Sequence, residues 1–222
     1  MTRNRKPEYD YTNESLQSIA IGLDIQPGDV ILAVCGSGDQ SFALLENARA
    51  VVSVDKSKVQ LEYAKRRAEL LREGRFDEFL DVRIGGFPFS MLDRRNLYFR
   101  QDGRLPRIVD RLDSLYFFQA DVFAVQGYRQ RRFPEGYFSK VYLSNVVGGF
   151  VTQMKNYCRS LEALYRRLPQ GGLIYVSDYS GSTMPLLLQN HYPQLHVDKR
   201  LTALAIEREN ESWWAPTVFR KL

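Results

Sequence analysis

The sequence predicts an α/β protein whose mostly parallel sheet carries helices on both faces. Three observations lead there. Short apolar runs recur between segments of helical periodicity, a glycine loop joins one such run to a helix, and the run after that helix ends in an acid. That pattern places a nucleotide-sized ligand at the carboxyl edge of the sheet.

The first helical segment is Leu16 to Leu23, with apolar residues at Leu16, Ile19, Ala20 and Leu23 and with Thr12 or Asn13 as its expected cap. The residues before it, Tyr9 to Ser15, are rich in tyrosine and carboxylate. They form either a lid over a nucleotide site or a plain amphipathic lead-in, and the sequence leaves both open. Val30 to Val34 is too short for a helix and follows Pro27-Gly28, so it reads as a strand buried on both faces. Gly36-Ser37-Gly38 comes next, then a helical segment from Phe42 to Asn47, then a second buried strand, Ala50 to Val54, ending in Asp55. An acid at that strand end accepts hydrogen bonds from both hydroxyls of a ribose. The alternative is a strand-end cap, with the glycines serving only a tight turn.

The glycine spacing narrows the ligand. A dinucleotide loop needs G-x-G-x-x-G and a P-loop needs G-x-x-x-x-G-K-[ST]. Here Asp39, Gln40 and Ser41 follow Gly38, with no lysine. An anionic Asp39 at the helix start would repel a phosphate, although it makes a good helix cap. A ribose without a phosphate points to S-adenosylmethionine.

Ser57 to Arg72 reads as a helix ending near Gly74. Asp77 to Arg111, broken by Gly85-Gly86, Pro88, Gly103 and Pro106, reads as an irregular insertion with short helices, packed beside or above the site. Leu115 to Asp121 is the third strand, and Asp121 is placed either to accept from an adenine amino group or to cap a helix. Phe138 to Leu143 is the fourth, followed by Ser144-Asn145-Val146-Val147-Gly148-Gly149-Phe150 facing the ligand crevice. Met154 to Leu168 is a helix. Pro169 to Gly172 then turns into the fifth strand, Leu173 to Val176, which ends Ser177-Asp178-Tyr179-Ser180. Leu201 to Glu207 and Thr217 to Arg220 are expected as an antiparallel hairpin at the sheet edge, with Glu211-Ser212-Trp213-Trp214 between them.

At 222 residues the chain suits one domain, 1–222, with the insertion at about 77–111 inside it. No apolar run approaches the ~20 residues of a membrane span. Met1 to Pro7 is basic and polar without an apolar stretch behind it, so neither a signal peptide nor a membrane partner is expected. Cys35 and Cys158 are isolated, so no metal site or disulfide is expected and the location reads as reducing and cytoplasmic. His191 and His196 have no ligand-like spacing and read as structural or surface residues. The net charge is +5, but acidic residues are interspersed with the basic ones throughout. The run Arg129-Gln130-Arg131-Arg132 therefore reads as a solvated loop, and no nucleic-acid partner is expected. The C-terminal tyrosine and tryptophan residues leave two roles open, covering the site or covering a homodimer face.

The glycine loop after strand one, the acids after strands two and three, and the final antiparallel pair resemble the class I S-adenosylmethionine-dependent methyltransferase fold. That resemblance covers the chain from about Leu16 onward and implies a Rossmann-like, seven-stranded sheet. Two motifs depart from the usual pattern. The strand-one acid and G-x-G-x-G are replaced by Ala33 and Cys35-Gly36-Ser37-Gly38-Asp39, and strand four ends in Leu143-Ser144-Asn145-Val146. Together with Tyr11 to Glu14 before the first helix, these departures resemble a smaller branch. It comprises the 3-amino-3-carboxypropyl transferases of betaine-lipid synthesis and the related azetidine-2-carboxylate synthases. The resemblance implies a small-molecule reaction at Cγ of the methionine arm, with S-adenosylmethionine as substrate, no metal, and methylthioadenosine released.

For a chain this size the favoured form is cyclisation of the substrate's own amine to azetidine-2-carboxylate. Ala33 removes an anion that would hold that amine as ammonium. The implied ligand contacts are Cys35, Gly36, Ser37, Gly38, Asp55, Lys56, Asp121, Val122, Ser144 and Asn145. Asn145 and Tyr179 would grip the arm, with Ser177, Tyr11 and Glu14 as further candidates. Glu14 has an alternative role as proton acceptor. Three other readings stay open: transfer of the arm to a separate acceptor, small-molecule methyl transfer, and a non-catalytic nucleotide sensor.

Overall fold

Seven strands form one sheet in the computed structural model, which describes residues 6–82, 89–124, 133–144, 154–179, 195–209 and 214–222. They are β1 (Val30–Val34), β2 (Ala50–Asp55), β3 (Leu115–Gln119), β4 (Lys140–Ser144), β5 (Leu173–Tyr179), β6 (His196–Val197) and β7 (Trp214–Arg220). Their order is β3-β2-β1-β4-β5-β7-β6. The first five run parallel, and β7 lies antiparallel between β5 and β6. The order reverses between β1 and β4, which opens a crevice at their carboxyl ends.

Parallel strands covered on both sides need apolar residues at every position, and β1 shows why the sequence was readable there. Ile31 and Ala33 face one core layer, with α1 (Leu16–Gly22), α2 (Asp39–Leu45) and α3 (Lys58–Arg72). Val30 and Leu32 face the other, with α7 (Met154–Arg167). The insertion contributes α4 (Phe76–Leu80), α5 (Phe89–Phe99) and α6 (Arg104–Val109) to the first layer, where Phe79, Phe99 and Ile108 are buried. Edge-to-face contacts run from Phe42 of α2 through Phe79 to Phe99, with centroids 5.6 and 5.2 Å apart.

Two local expectations are corrected. Leu201 to Glu207 is not a hairpin strand but the middle of α8 (Lys199–Glu209). Leu201 and Ala205, four residues apart, reach the core together, and Asp198 Oδ1 accepts from Leu201 N at 2.9 Å as its N-terminal cap. The first antiparallel arm is instead the short β6, which places His196 in a strand and exposed. The cap of α1 is neither Thr12 nor Asn13 but Ser15, whose side chain accepts from Ser18 N. Among the described residues no helix is long and apolar enough to cross a membrane. The Arg129 to Arg132 run, Asn145 to Phe150, Ser180, His191 and Glu211 to Trp213 lie outside the described residues.

Candidate active site

The crevice holds a cavity of about 330 Å³ lined by the ends of β1, β2 and β4, the residues after β3, and a strap of irregular, bent chain from Glu8 to Glu14. That volume falls at the small end of the ~300–1,000 Å³ typical of small-molecule sites. The strap is fastened by hydrogen bonds from four elements. Gln60 of α3 accepts from Glu8 N at 3.0 Å and Tyr9 N at 3.2 Å, and donates to Tyr9 O at 2.7 Å. Tyr63 donates to Asp10 O, and Thr12 N donates to Asp39 Oδ2 at 3.0 Å. The indole of Trp214 donates to Asn13 O, and Ser15 N donates to the Glu209 carboxylate.

The glycine loop is shaped for this cavity. Gly36 (φ +49°) and Gly38 (φ +89°) both take left-handed backbone, which glycine adopts at little cost. A Cβ at Gly38 would stand 3.0 Å from Ala64 Cβ and 3.1 Å from the Phe42 ring, so its role is to let α2 approach α3. Gly38, not Asp39, caps α2. Asp39 is the first helical residue and is fully buried, with Oδ1 2.6 Å from Arg67 Nη2 and 2.9 Å from Arg95 Nε. Burial pushes this carboxyl up, and the two guanidiniums together outweigh it, holding the group at about 2. The expected charge at the helix start is thus already neutralised from α3 and the insertion.

Asp55 lies at the cavity wall, half-buried. Its oxygens accept from Gly36 N at 3.2 Å and Ser57 N at 2.9 Å, which fixes the carboxylate at the wall. Burial raises its pKa. Asp121 follows β3; it accepts from Phe123 N at 2.9 Å and pairs with Lys56 at 2.9 Å across the mouth. Val122 and Phe123 line the wall next to it. Ser37 and Ser144 line the cavity too, whereas the Cys35 side chain does not. It packs against Leu61 and Ala64, and burial pushes its thiol up to about 12.

Glu14 and Tyr11 come from the strap and also line the cavity. The Glu14 carboxyl is buried between the ends of β4 and β5: Tyr142 donates to Oε1 at 3.0 Å and Ser144 donates to the same oxygen. Parallel register sets Ser144 beside Ser177, so the Ser177 hydroxyl also lies near, outside hydrogen-bond geometry. Oε2 has no donor. Among the described residues no cation stands by it as Arg67 and Arg95 stand by Asp39; burial raises Glu14 to about 7, against the pull of the Ser144, Tyr142 and Ser177 hydroxyls. Among the named site residues, Asn145 and the side chain of Tyr179 lie outside what is described. Sequence reasoning missed Gln40, Thr12, Tyr142 and Phe123. Tyr142 was recoverable, since it sits two residues before Ser144 and so on the same strand face. Among the described residues no cluster of His, Cys, Asp and Glu could hold a metal ion.

No family model matches the chain, and no curated protein does. Solved structures do. A predicted O-methyltransferase from Agrobacterium tumefaciens, protein Atu636, aligns at a TM-score of 0.55 and 12% identity, over 94% of this chain and 80% of its own. A putative methyltransferase from Streptococcus mutans, SMU.1697c, solved in complex with SAH, aligns at 0.52 and 11%, over 92% and 96%. The fold is that of the class I methyltransferases. The same fold carries other chemistry as well: the 4+2 cyclase SpnF aligns at 0.54 and 12%, over 93% of this chain and 79% of its own. At these identities the likeness is one of fold.

Proposed function

We propose that the cavity binds S-adenosylmethionine and that the protein acts at Cγ of its 3-amino-3-carboxypropyl arm, with azetidine-2-carboxylate and methylthioadenosine as products. The observation that carries this reading is Glu14: a buried carboxyl with one oxygen unpaired among the described residues and its pKa pushed up to about 7 by burial, in the wall of a nucleoside-sized cavity. A group poised near neutrality is suited to take a proton from an α-ammonium, whose reference pKa is ~7.7–8.0. Asp55 would hold the ribose, Asp121 the adenine edge, and Val122 and Phe123 its face.

The atoms balance without a further reactant. Glu14 takes one proton from the ammonium, the amine's lone pair forms the N–Cγ bond, and the Cγ–S bond breaks with its electrons going to sulfur. Sulfur leaves as a neutral thioether, and Glu14 returns its proton to water. Sulfonium is already a good leaving group, so holding the amine in line with the Cγ–S bond and closing the strap over it are the enzyme's main tasks.

The test is incubation of the purified protein with S-adenosylmethionine alone, followed by mass spectrometry. Methylthioadenosine together with azetidine-2-carboxylate is expected. Methylthioadenosine formed only with an added nucleophile would replace cyclisation by transfer of the arm. The solved methyltransferases of the same fold favour a second reading, methyl transfer to a separate small molecule, in which S-adenosylhomocysteine accumulates instead.

A further inference from the structure

We infer that Glu14 and Gln40 together form the seat of a primary ammonium group on the ligand's arm, with Gln40 setting the preference for ligands that carry it. The inference rests on the binding half of the proposed function and adds a residue that neither the glycine loop nor the strand-end acids had singled out.

Gln40 is 7% exposed and lines the same cavity as Glu14. Its Nε2 donates to Thr12 Oγ1 at 2.9 Å, which leaves Oε1 as the free end of the amide. Glu14 N donates to the same hydroxyl at 3.2 Å, so one threonine anchors the Gln40 amide and the Glu14 backbone, and both side chains line one cavity. Among the described residues Glu14 Oε2 and Gln40 Oε1 are both buried acceptors without a donor. A buried polar atom left unmatched is costly and needs a reason. Two acceptors, one of them anionic, are matched by a group with several N–H donors and a positive charge; a primary ammonium has three such donors. The surrounding charge agrees, because Glu8, Glu14, Asp55 and Asp121 line the cavity against Lys56. Water reaches neither oxygen in this state, so the arm docks by turning the two side chains or easing the strap toward the cavity.

The experiment compares two nucleosides that differ in the arm and do not react, S-adenosylhomocysteine and methylthioadenosine, by calorimetry on the full chain. Wild type should bind S-adenosylhomocysteine more tightly. Gln40→Met should weaken it by about tenfold, the loss of one charge-assisted hydrogen bond, while leaving methylthioadenosine unchanged. Unchanged methylthioadenosine affinity also shows that the variant is folded. Gln40→Glu keeps an acceptor and adds charge, so it should hold or raise affinity for S-adenosylhomocysteine. A fall with Gln40→Glu as large as with Gln40→Met would mean that the amide N–H holds a carboxylate, and would overturn the inference. Equal losses for both nucleosides, or equal wild-type affinities, would overturn it as well while leaving nucleoside binding in place. Binding of neither nucleoside by wild type would remove the proposed function too.

Discussion

Asp39 and Glu14 are both buried carboxylates on residues hydrogen-bonded to Thr12, Asp39 through its carboxylate and Glu14 through its backbone N–H, yet their surroundings drive them in opposite directions. Asp39 receives the Thr12 backbone N–H and two guanidiniums, and stays ionised down to about pH 2. Among the described residues Glu14 receives two hydroxyls and no cation, and burial pushes its pKa up to about 7. The same functional group is an architectural fixture in one place and, in the proposed reaction, the proton acceptor in the other. Burial is common to both, so the neighbouring charge decides between the roles.

That contrast can be broken most severely at Asp39. Asp39→Asn leaves Arg67 and Arg95 buried around a neutral amide, and stability in urea denaturation should fall by about 3–5 kcal/mol. Wild type itself should lose about 2 kcal/mol as pH falls from the ordinary 3.8 toward 2, because the unfolded state takes up the proton first. Glu14 should show the reverse. Its folded-state pKa of about 7 lies above the ordinary 4.5, so between those values the folded protein holds a proton that the unfolded chain gives up. Its contribution is therefore most favourable below pH 4.5 and declines by about 3 kcal/mol as pH rises through 7. Glu14→Gln removes that slope, and above pH 7 the variant should be the more stable protein while losing turnover of S-adenosylmethionine. A parallel slope in wild type and variant would show that Glu14 does not titrate in this window.

Asp55 is the intermediate case, half-buried and held by backbone N–H groups. Asp55→Ala should weaken S-adenosylhomocysteine by about 1.5–3 kcal/mol in calorimetry, and unchanged affinity would sink the ribose assignment. The smallest effect belongs to Lys56→Ala. Its ion pair with Asp121 is exposed, and thermal melts should shift by the equivalent of at most about 1 kcal/mol, less in high salt.

The nucleoside half of the site was legible because it is local: strand, loop, helix, strand and acid lie within Val30 to Asp55, and a doubly covered parallel strand is apolar at every position. The arm half was much less so. Tyr11 and Glu14 were recognisable as site candidates, but nothing in sequence shows that Arg67 and Arg95 converge on Asp39 from 28 and 56 residues away. The pairing of Ser144 with Ser177 likewise needs the sheet register. Leu201 to Glu207 misled because Thr202, Ile206 and flanking apolar residues suit a strand as well as a helix. The contacts of Leu201 and Ala205 with the core decide between them.

The strap's fastenings also carry a consequence for how the site comes into being. Ser15 is held by Glu209 and Asn13 by Trp214, across 194 and 201 residues of sequence. Contacts that distant close late, after the parallel strands and helices between them have formed. Refolding experiments should therefore find ligand binding recovered in a slower phase than helix content. A ribosome-bound chain lacking Glu209 and Trp214 would keep the strap's fastenings to Gln60, Tyr63 and Asp39 but lack those at Asn13 and Ser15, on either side of Glu14.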